Sequence, residues 1–573
     1  MIKFWKILDF KNKIKIILLF LCFFIVGFFD VITVASIPVI LTYVLTPEIF
    51  LSHIPNDNLK QFFENYFEIL SLEQKIIYSS QFIILVFVLK NIITYSIYFF
   101  ESTYLKNLKI KMQSNIFFSY INKTYLQLNN TTQGKIKSDY DFCHHAVSYI
   151  RYWLISVKEL IIIFGLFFAL FLSDKKITLT IISFLPIFLI LQYFLSKKLK
   201  KWGEEIVIHQ RNIINYLGET LDLAAEIFVL SKEKVFFKRF LDETTKREMK
   251  NYFSKLISYF YKPFFEVIFI IFLFGSIYYF YKNDYTINEI IPLITIIILS
   301  FIRIMPSIYS ILISYNGIKF FEKSAEVVIK KFKNQNFLEN QNKNNKNKNF
   351  IFNKSLKVKN LKFKFLNEKK SILSNINLQI NKNDKVAILG KNGSGKTTLI
   401  NILAGLYPFS NGELILDGKI KIKSTAKFSW DKMGYFRQNS PILDANLTNN
   451  ITFFHKPEQE KIKRILNLIN DKKNFHSFGK HLKKHVEEDN SKFSGGQKQL
   501  IGLGRTFYTD TKLIFLDEPT NNLDHTMKKR IVNYLKNLDT TLIIITHDKS
   551  IINICNKLIT IENGRVKNIR IKK

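Results

Sequence analysis

The sequence predicts an all-α membrane domain of about six transmembrane helices, followed by an α/β P-loop nucleotide-binding domain. Three observations carry this. Residues 14–315 hold most of the long Ile/Leu/Phe runs. Residues 390–397 read Gly-Lys-Asn-Gly-Ser-Gly-Lys-Thr. Further on, the apolar run 512–517 ends in the carboxylate pair Asp517-Glu518. The predicted boundaries are 1–332 for the membrane domain, 333–356 for a linker and 357–573 for the nucleotide-binding domain.

At 573 residues the chain is long enough for more than one domain. The net charge of +37 does not point to nucleic acid. Lys, Asn, Ile and Phe are all over-used, and the positive charge flanks the apolar runs, which is the positive-inside pattern of a membrane protein. The three cysteines (Cys22, Cys143, Cys555) are far apart, which indicates neither a disulfide framework nor a metal site.

Six apolar runs reach the roughly 20 residues that span a bilayer: 15–44, 76–100, 153–172, 177–195, 263–281 and 287–315. The third and fourth are joined by a few residues around Asp174, the fifth and sixth by a few around Asp284. The connections 101–152 and 196–262 are long, polar and rich in Lys and Arg, so they face the cytoplasm. Loops of that length without structure are uncommon, so both are expected to be helical extensions. Their tips, near 129–137 and 218–226, are the natural contacts with a cytoplasmic domain. The first run is too long for a signal-peptide core and continues past Pro38, so no cleavage is expected. Residues 1–10 are expected along the inner membrane surface.

Between the first two spans, Leu59, Phe62, Phe63, Tyr66, Phe67 and Leu70 recur at helical spacing. This is an amphipathic pattern, either lying in lipid headgroups or capping the other helices. Lys90, Lys262 and Arg303 fall within or beside predicted spans, where a buried cation costs about 2.5–3.5 kcal/mol. Two readings stand: pairing with Asp30, Glu159 and Glu266, or a cavity for an anionic headgroup such as a pyrophosphate. Residues 333–349 are polar and low in complexity, which suits a linker.

In the second half, strand 385–389 runs into the glycine-rich loop and a helix follows, the context that a P-loop requires. The loop residues Gly390, Asn392, Gly393, Ser394, Gly395, Lys396, Thr397 and Thr398 are expected to hold the nucleotide phosphates. Lys396 reaches the β- and γ-phosphates, and Thr397 ligates Mg²⁺. Asp517 fits the acidic group at Mg²⁺, and Glu518 a general base for the attacking water. A second buried strand, 542–545, ends at Thr546-His547-Asp548, which makes His547 a contact to the γ-phosphate.

With the stretch Phe493-Ser494-Gly495-Gly496-Gln497, residues 357–573 resemble the nucleotide-binding domain of an ATP-binding cassette transporter. The resemblance implies ATP and Mg²⁺ as cofactors, with further roles position by position. Gln438 matches the glutamine that senses nucleotide at the catalytic and metal centre. Phe365, 31 residues before Lys396, matches the aromatic that stacks on adenine. Ser494, Gly495, Gly496 and Gln497 match the signature loop that closes on ATP held by a second domain. Asn522-Leu523-Asp524 matches the loop that crosses to that domain. One chain carries one such domain, so the resemblance implies a second half-transporter as partner, with a homodimer expected. The chain departs from the pattern at Phe493, where leucine is usual, and at 486–490, which lack the usual glycines and leave Glu488 for the coupling contact.

The six-span order with a C-terminal motor resembles the exporter branch of the family, in a bacterial cytoplasmic membrane. The stretch 299–307, with Lys90, Lys262 and Arg303, resembles flippases of lipid-linked oligosaccharides. The family often has another arginine one heptad beyond Arg303, where this chain has Ser310. That resemblance implies an ATP-driven flippase for a polyprenyl-pyrophosphate-linked glycan. The alternatives are an exporter of a peptide, lipid or drug-like compound, and an ATP-gated channel or sensor. A soluble nucleic-acid ATPase is excluded by the spans.

Overall fold

The computed structural model describes residues 5, 9–45, 71–173, 185–282, 287–344, 348–365, 368, 370–422, 428–438, 440–469 and 494–572. The amphipathic segment 58–70, most of 1–10, the turns at Asp174 and Asp284, Glu488 and Phe493 lie outside these residues. The chain divides into two compact units. The first holds Met1–Lys123 and Thr131–Glu339, the second Thr124–Asn130 and Asn340–Lys573.

The first unit is helical: α1 (Phe10–Leu45), α2 (Leu72–Ile121), α4 (Gln133–Ser173), α5 (Leu185–Asp222), α6 (Ala224–Val229), α7 (Glu233–Lys282) and α8 (Ile287–Asn344). The short α3 (Tyr125–Asn129) belongs to the second unit. Helix α2 runs far beyond the apolar run at 76–100, and α4, α5 and α7 likewise extend past their spans, as the long polar connections lead one to expect. A capping box at Ser71 starts α2: the serine side chain and Gln74 each satisfy the other's orphan backbone N–H. Helix α8 continues through the low-complexity stretch as far as Asn344. Among the described residues three helical stretches are long and apolar enough to cross a membrane: Phe10–Thr33, Glu73–Ile121 and Glu233–Lys282. Ile84, Ile92, Phe99, Phe164, Ile271 and Phe274 are exposed along the helices, a surface suited to lipid rather than water.

Inside this unit an apolar cluster of Ile162, Leu166, Phe265, Ile304, Ile308 and Leu312 surrounds Tyr261. The Tyr261 hydroxyl donates to Gln192 Oε1 at 2.6 Å, Gln192 Nε2 donates to Asn316 Oδ1 at 2.6 Å, and Asn316 Nδ2 donates back to Tyr261 at 2.7 Å. All three residues are buried, so this closed ring satisfies polar groups that water cannot reach. It ties α5, α7 and α8 together. A second polar knot centres on Asp139 of α4, whose side chain is fully buried. It accepts from Tyr120 of α2 at 2.5 Å, from Arg211 of α5 at 3.3 Å, and from Lys331 of α8.

The second unit is α/β. Its six-stranded sheet has the order β12–β11–β4–β10–β9–β8, from β4 (Lys385–Leu389), β8 (Met433–Phe436), β9 (Leu513–Asp517), β10 (Thr541–Ile545), β11 (Lys557–Glu562) and β12 (Arg565–Ile571). All pairs are parallel except β11–β12. A four-stranded antiparallel sheet has the order β3–β2–β5–β6, from β2 (Ser355–Phe363), β3 (Leu373–Asn381), β5 (Asn411–Leu416) and β6 (Ile420–Ile422). β1 (Lys348–Phe350) pairs with β7 (Phe428–Trp430).

Strands β9 and β10 are buried at every position, because a central parallel sheet is covered on both faces. Their side chains alternate accordingly. Leu513, Phe515, Ile543 and Ile545 join the core shared with β2, β3 and α9 (Lys396–Leu403). Ile514, Leu516, Leu542 and Ile544 join the core beneath α10 (Leu447–Thr452), α11 (Gln459–Ile469), α12 (Gly495–Tyr508) and α13 (His525–Asn537). α14 (Lys549–Ile554) follows β10. α3 belongs here because Leu126 is buried in the first of these cores and Tyr125 stacks on Tyr407 at 6.0 Å. The tip expected near residue 129 is thus part of the same compact unit as the nucleotide-binding fold.

Candidate nucleotide-binding site

The parallel order brings the ends of β4, β9 and β10 to one edge of the sheet, where ligands bind in open α/β folds. A cavity of about 510 Å³ opens there, lined by Asn392, Gly393, Gly395, Lys396, Thr397, Thr398, Gln438, Asp517 and Glu518, with Ile372 and Ile545.

The loop from β4 to α9 is built from glycines for a physical reason. Gly393 and Gly395 have φ of +77° and +99°, a region that residues with a Cβ rarely adopt. At Gly395 a Cβ would also meet Leu373 Cδ2 at 2.7 Å. Gly395 is the N-cap of α9 with no side-chain cap bond, so the first N–H groups of that helix are available to an anion. The Ser394 hydroxyl is buried without a hydrogen-bond partner among the described residues. Lys396 Nζ donates to the carbonyls of Gly390 at 2.7 Å and Lys391 at 3.0 Å, which holds the ammonium inside the loop. An orphaned hydroxyl, uncapped helix N–H groups and a buried ammonium fit a nucleotide's phosphates.

Thr397 donates to Asp517 at 3.3 Å, so the two residues expected at Mg²⁺ are in contact. Gln438 lines the same cavity. Burial raises the Asp517 pKa, opposed by the Thr397 hydroxyl and Lys396. Burial likewise raises Glu518; His547 and Lys396 pull it down, while Asp517 pushes it further up. Glu518 has φ of +50° and is held there by its N–H to Ile545 O at 3.0 Å and by Gln499, whose Nε2 donates to its carbonyl at 3.2 Å. Gln499 was not among the expected site residues; a buried glutamine one turn into a helix carries no sequence sign of that role. His547 stands on the exposed rim, its Nε2 3.8 Å from Glu518 Oε1.

The remaining expected residues fall elsewhere. Phe365 packs edge-on against Phe363 at 5.0 Å and Tyr407 at 6.0 Å, outside the cavity lining. Ser494 caps α12, accepting from the Gln497 N–H, while Gln497 Oε1 accepts from Ser494 N–H. Gln497 therefore serves a capping box. A Cβ at Gly496 would meet Asn522 O at 2.7 Å, so the signature turn packs against the loop that precedes α13. Neither Ser494, Gly495, Gly496 nor Gln497 lines the phosphate cavity of its own chain. In the first unit, Lys90 pairs with Asp30 at 2.5 Å. Lys262 is exposed on α7. Arg303 lies in α8, and its side chain is outside the described residues.

Residues 373–521 match the family described as ABC transporter. The multidrug resistance-like ATP-binding protein MdlB of Buchnera aphidicola is 32% identical over 36% of this chain and 36% of its own length. The transport/processing ATP-binding protein ComA of Streptococcus pneumoniae is 32% identical over 34% of this chain and 28% of its own. The chain thus spans about a third of the length of these relatives. It spans 89% of the lipoprotein-releasing system ATP-binding protein LolD of Buchnera aphidicola, at 32% identity over 35% of this chain. A bacterial Atm1-family ABC exporter with ATP bound shares the fold, with a TM-score of 0.73, 14% identity, and coverage of 98% of this chain and 96% of that one. Apolar helices at the N-terminus and an ATP- and Mg²⁺-binding domain at the C-terminus fit an inner-membrane topology with that domain in the cytoplasm. The chain belongs to the ABC transporter family.

Proposed function

We propose that the protein is an ATP-driven exporter, working as a dimer, that moves a drug-like, lipid or peptide compound out of the cytoplasm. The observation that carries this is the convergence of Lys396, Thr397, Asp517 and Glu518 on one cavity in a chain whose other half is long apolar helices. Mg²⁺, when bound, neutralises charge on the phosphate oxygens. Lys396 exchanges two loop carbonyls for phosphate oxygens, and Glu518 orients the attacking water and takes its proton. Ser494–Gly496 lie away from their own chain's phosphate cavity, which supports closure against a second copy. So does the exposed apolar tip Leu221, Phe228, Val229 and Leu230 at 79%, 77%, 78% and 62% exposure, a patch that water disfavours.

MdlB is named for multidrug resistance and ComA for transport and processing, which favours this substrate range over a lipid-linked oligosaccharide. The flippase reading rests on Lys90, Lys262 and Arg303 as an anion-binding set. The ion pair of Lys90 with Asp30 offsets one of those charges, so the exporter reading is better supported. ATP-dependent uptake into inside-out vesicles, by the wild type and by Glu518→Gln, tests it. Uptake of a dye or peptide by the wild type alone supports the exporter. Uptake of a lipid-linked oligosaccharide alone restores the flippase.

A further inference from the structure

The first unit holds a cavity of about 540 Å³ whose lining contains no aspartate or glutamate. Helices α4, α5, α7 and α8 all contribute. Its wall has two characters. From α7 come Arg247, Asn251, Lys255 and Ser258, spaced by four, four and three residues and so on one helix face. From α8 and α4 come Phe320, Phe321 and Tyr152. Tyr152 stacks on Phe321 with centroids 6.1 Å apart and planes 12° off parallel. Phe320 meets Phe321 edge-on at 5.1 Å.

The donors on the α7 wall are not used up by the fold, although Glu248 offsets the charge of Arg247. Arg247 gives Nε and Nη2 to the adjacent Glu248 at 2.8 and 2.6 Å, and Nη1 to Gln210 at 2.6 Å. A guanidinium has five N–H donors, so two remain. Glu248 itself is not part of the lining. Lys255 is exposed and has no ion-pair partner among the described residues. Lys262 stands one heptad further along nearly the same face of α7 and continues the positive stripe. Where the cavity meets Asn316, the ring with Gln192 and Tyr261 and the apolar cluster behind it form a neutral end. The volume falls in the range of about 300–1,000 Å³ that holds compact organic ligands.

We propose that this cavity binds a compact organic anion carrying an aromatic or planar ring, with the anionic group at Arg247 and Lys255 and the ring against Phe320 and Phe321. The inference rests on the exporter reading and names its substrate class. Guanidinium and ammonium groups suit carboxylate, sulfonate or phosphate oxygens, the aromatic wall suits a ring face, and a lining without acids disfavours cations.

The test is equilibrium binding to the full chain in lipid nanodiscs, with empty nanodiscs subtracted. The probes are fluorescein and pyrene sulfonate as planar anions, and ethyl rhodamine as a cation on fluorescein's ring system. At least one anion is expected to bind saturably, and about tenfold more tightly than ethyl rhodamine. Lys255→Glu should weaken the anion by about tenfold, and Lys255→Arg should retain it. The proposal fails if neither anion binds saturably, if ethyl rhodamine binds as well as the anions, or if Lys255→Glu leaves anion affinity unchanged. ATP hydrolysis is read on the same samples. No hydrolysis sinks the exporter reading and leaves the binding result standing; hydrolysis without anion preference sinks only this inference.

Discussion

The Thr397 hydroxyl donates to the Asp517 carboxylate at 3.3 Å, which joins the first turn of α9 to the end of β9. We propose these two groups as the metal-binding pair, and each is positioned by a different buried element. Asp517→Asn removes the charge that Mg²⁺ needs while keeping the shape. The expected outcome is loss of Mg²⁺-dependent ATP hydrolysis with nucleotide binding weakened much less. Titration of Mg²⁺ at fixed ATP checks it.

With Glu518 proposed as the base, Glu518→Gln should lower hydrolysis on the order of 10²–10⁴-fold. The pH dependence follows from its surroundings. Burial raises the Glu518 pKa above its ordinary 4.5, and the base acts unprotonated. Hydrolysis should therefore rise with pH along a limb that lies above the ordinary carboxylate range. Stability runs the other way: a raised carboxylate pKa contributes stability that is full below the unfolded value and lost as pH rises through the folded value. Glu518→Gln should flatten that part of the melting-temperature profile.

Asp139 faces Arg211, Lys331 and Tyr120 inside the helical unit. Removing the carboxylate leaves two cations near each other without their counterion. Asp139→Ala should cost about 3–5 kcal/mol, and more than Lys331→Ala, because Arg211 still reaches Asp139 in the latter. Thermal unfolding of the full chain in nanodiscs compares the two.

Leu126 is 8% exposed within the core of the second unit. Leu126→Ala should cost about 2–5 kcal/mol of packing and loosen the segment Thr124–Asn130. Faster amide exchange in that segment, with basal ATP hydrolysis kept, is the expected result. Phe228, by contrast, is exposed, so Phe228→Asp should leave monomer stability unchanged and lower substrate-stimulated hydrolysis if a partner covers it.

The second half was largely legible because most of the cavity-lining residues lie in the loop and first helical turn after β4 or directly after β8 and β9. The glycines announce positive φ, and the buried runs at 513–517 and 541–545 end in the residues that face the cavity. Phe365 and Gln497 were read from the family pattern as ATP contacts. In the structure Phe365 packs in an aromatic cluster with Phe363 and Tyr407, and Gln497 closes a capping box with Ser494, three residues before it. In the first half, span periodicity and the helical extensions could be read, but the partners could not. Lys90 was open to pairing with Asp30, yet 60 residues separate them, and only packing of α1 on α2 brings them together. Asp139, the Gln192–Tyr261–Asn316 ring and the Arg247–Lys255 wall were invisible, because isolated polar residues in helical connections look solvated until four helices close around them.

The central claim is that hydrolysis at Glu518 drives movement of a compound across the membrane. The most direct measurement is ATP-dependent accumulation in inside-out vesicles of a panel with a planar anionic dye, a peptide and a lipid-linked oligosaccharide, for the wild type and Glu518→Gln. The account predicts that the wild type accumulates the dye or the peptide and that Glu518→Gln accumulates none. Equal accumulation by both, or wild-type hydrolysis that moves no member of the panel, would contradict it.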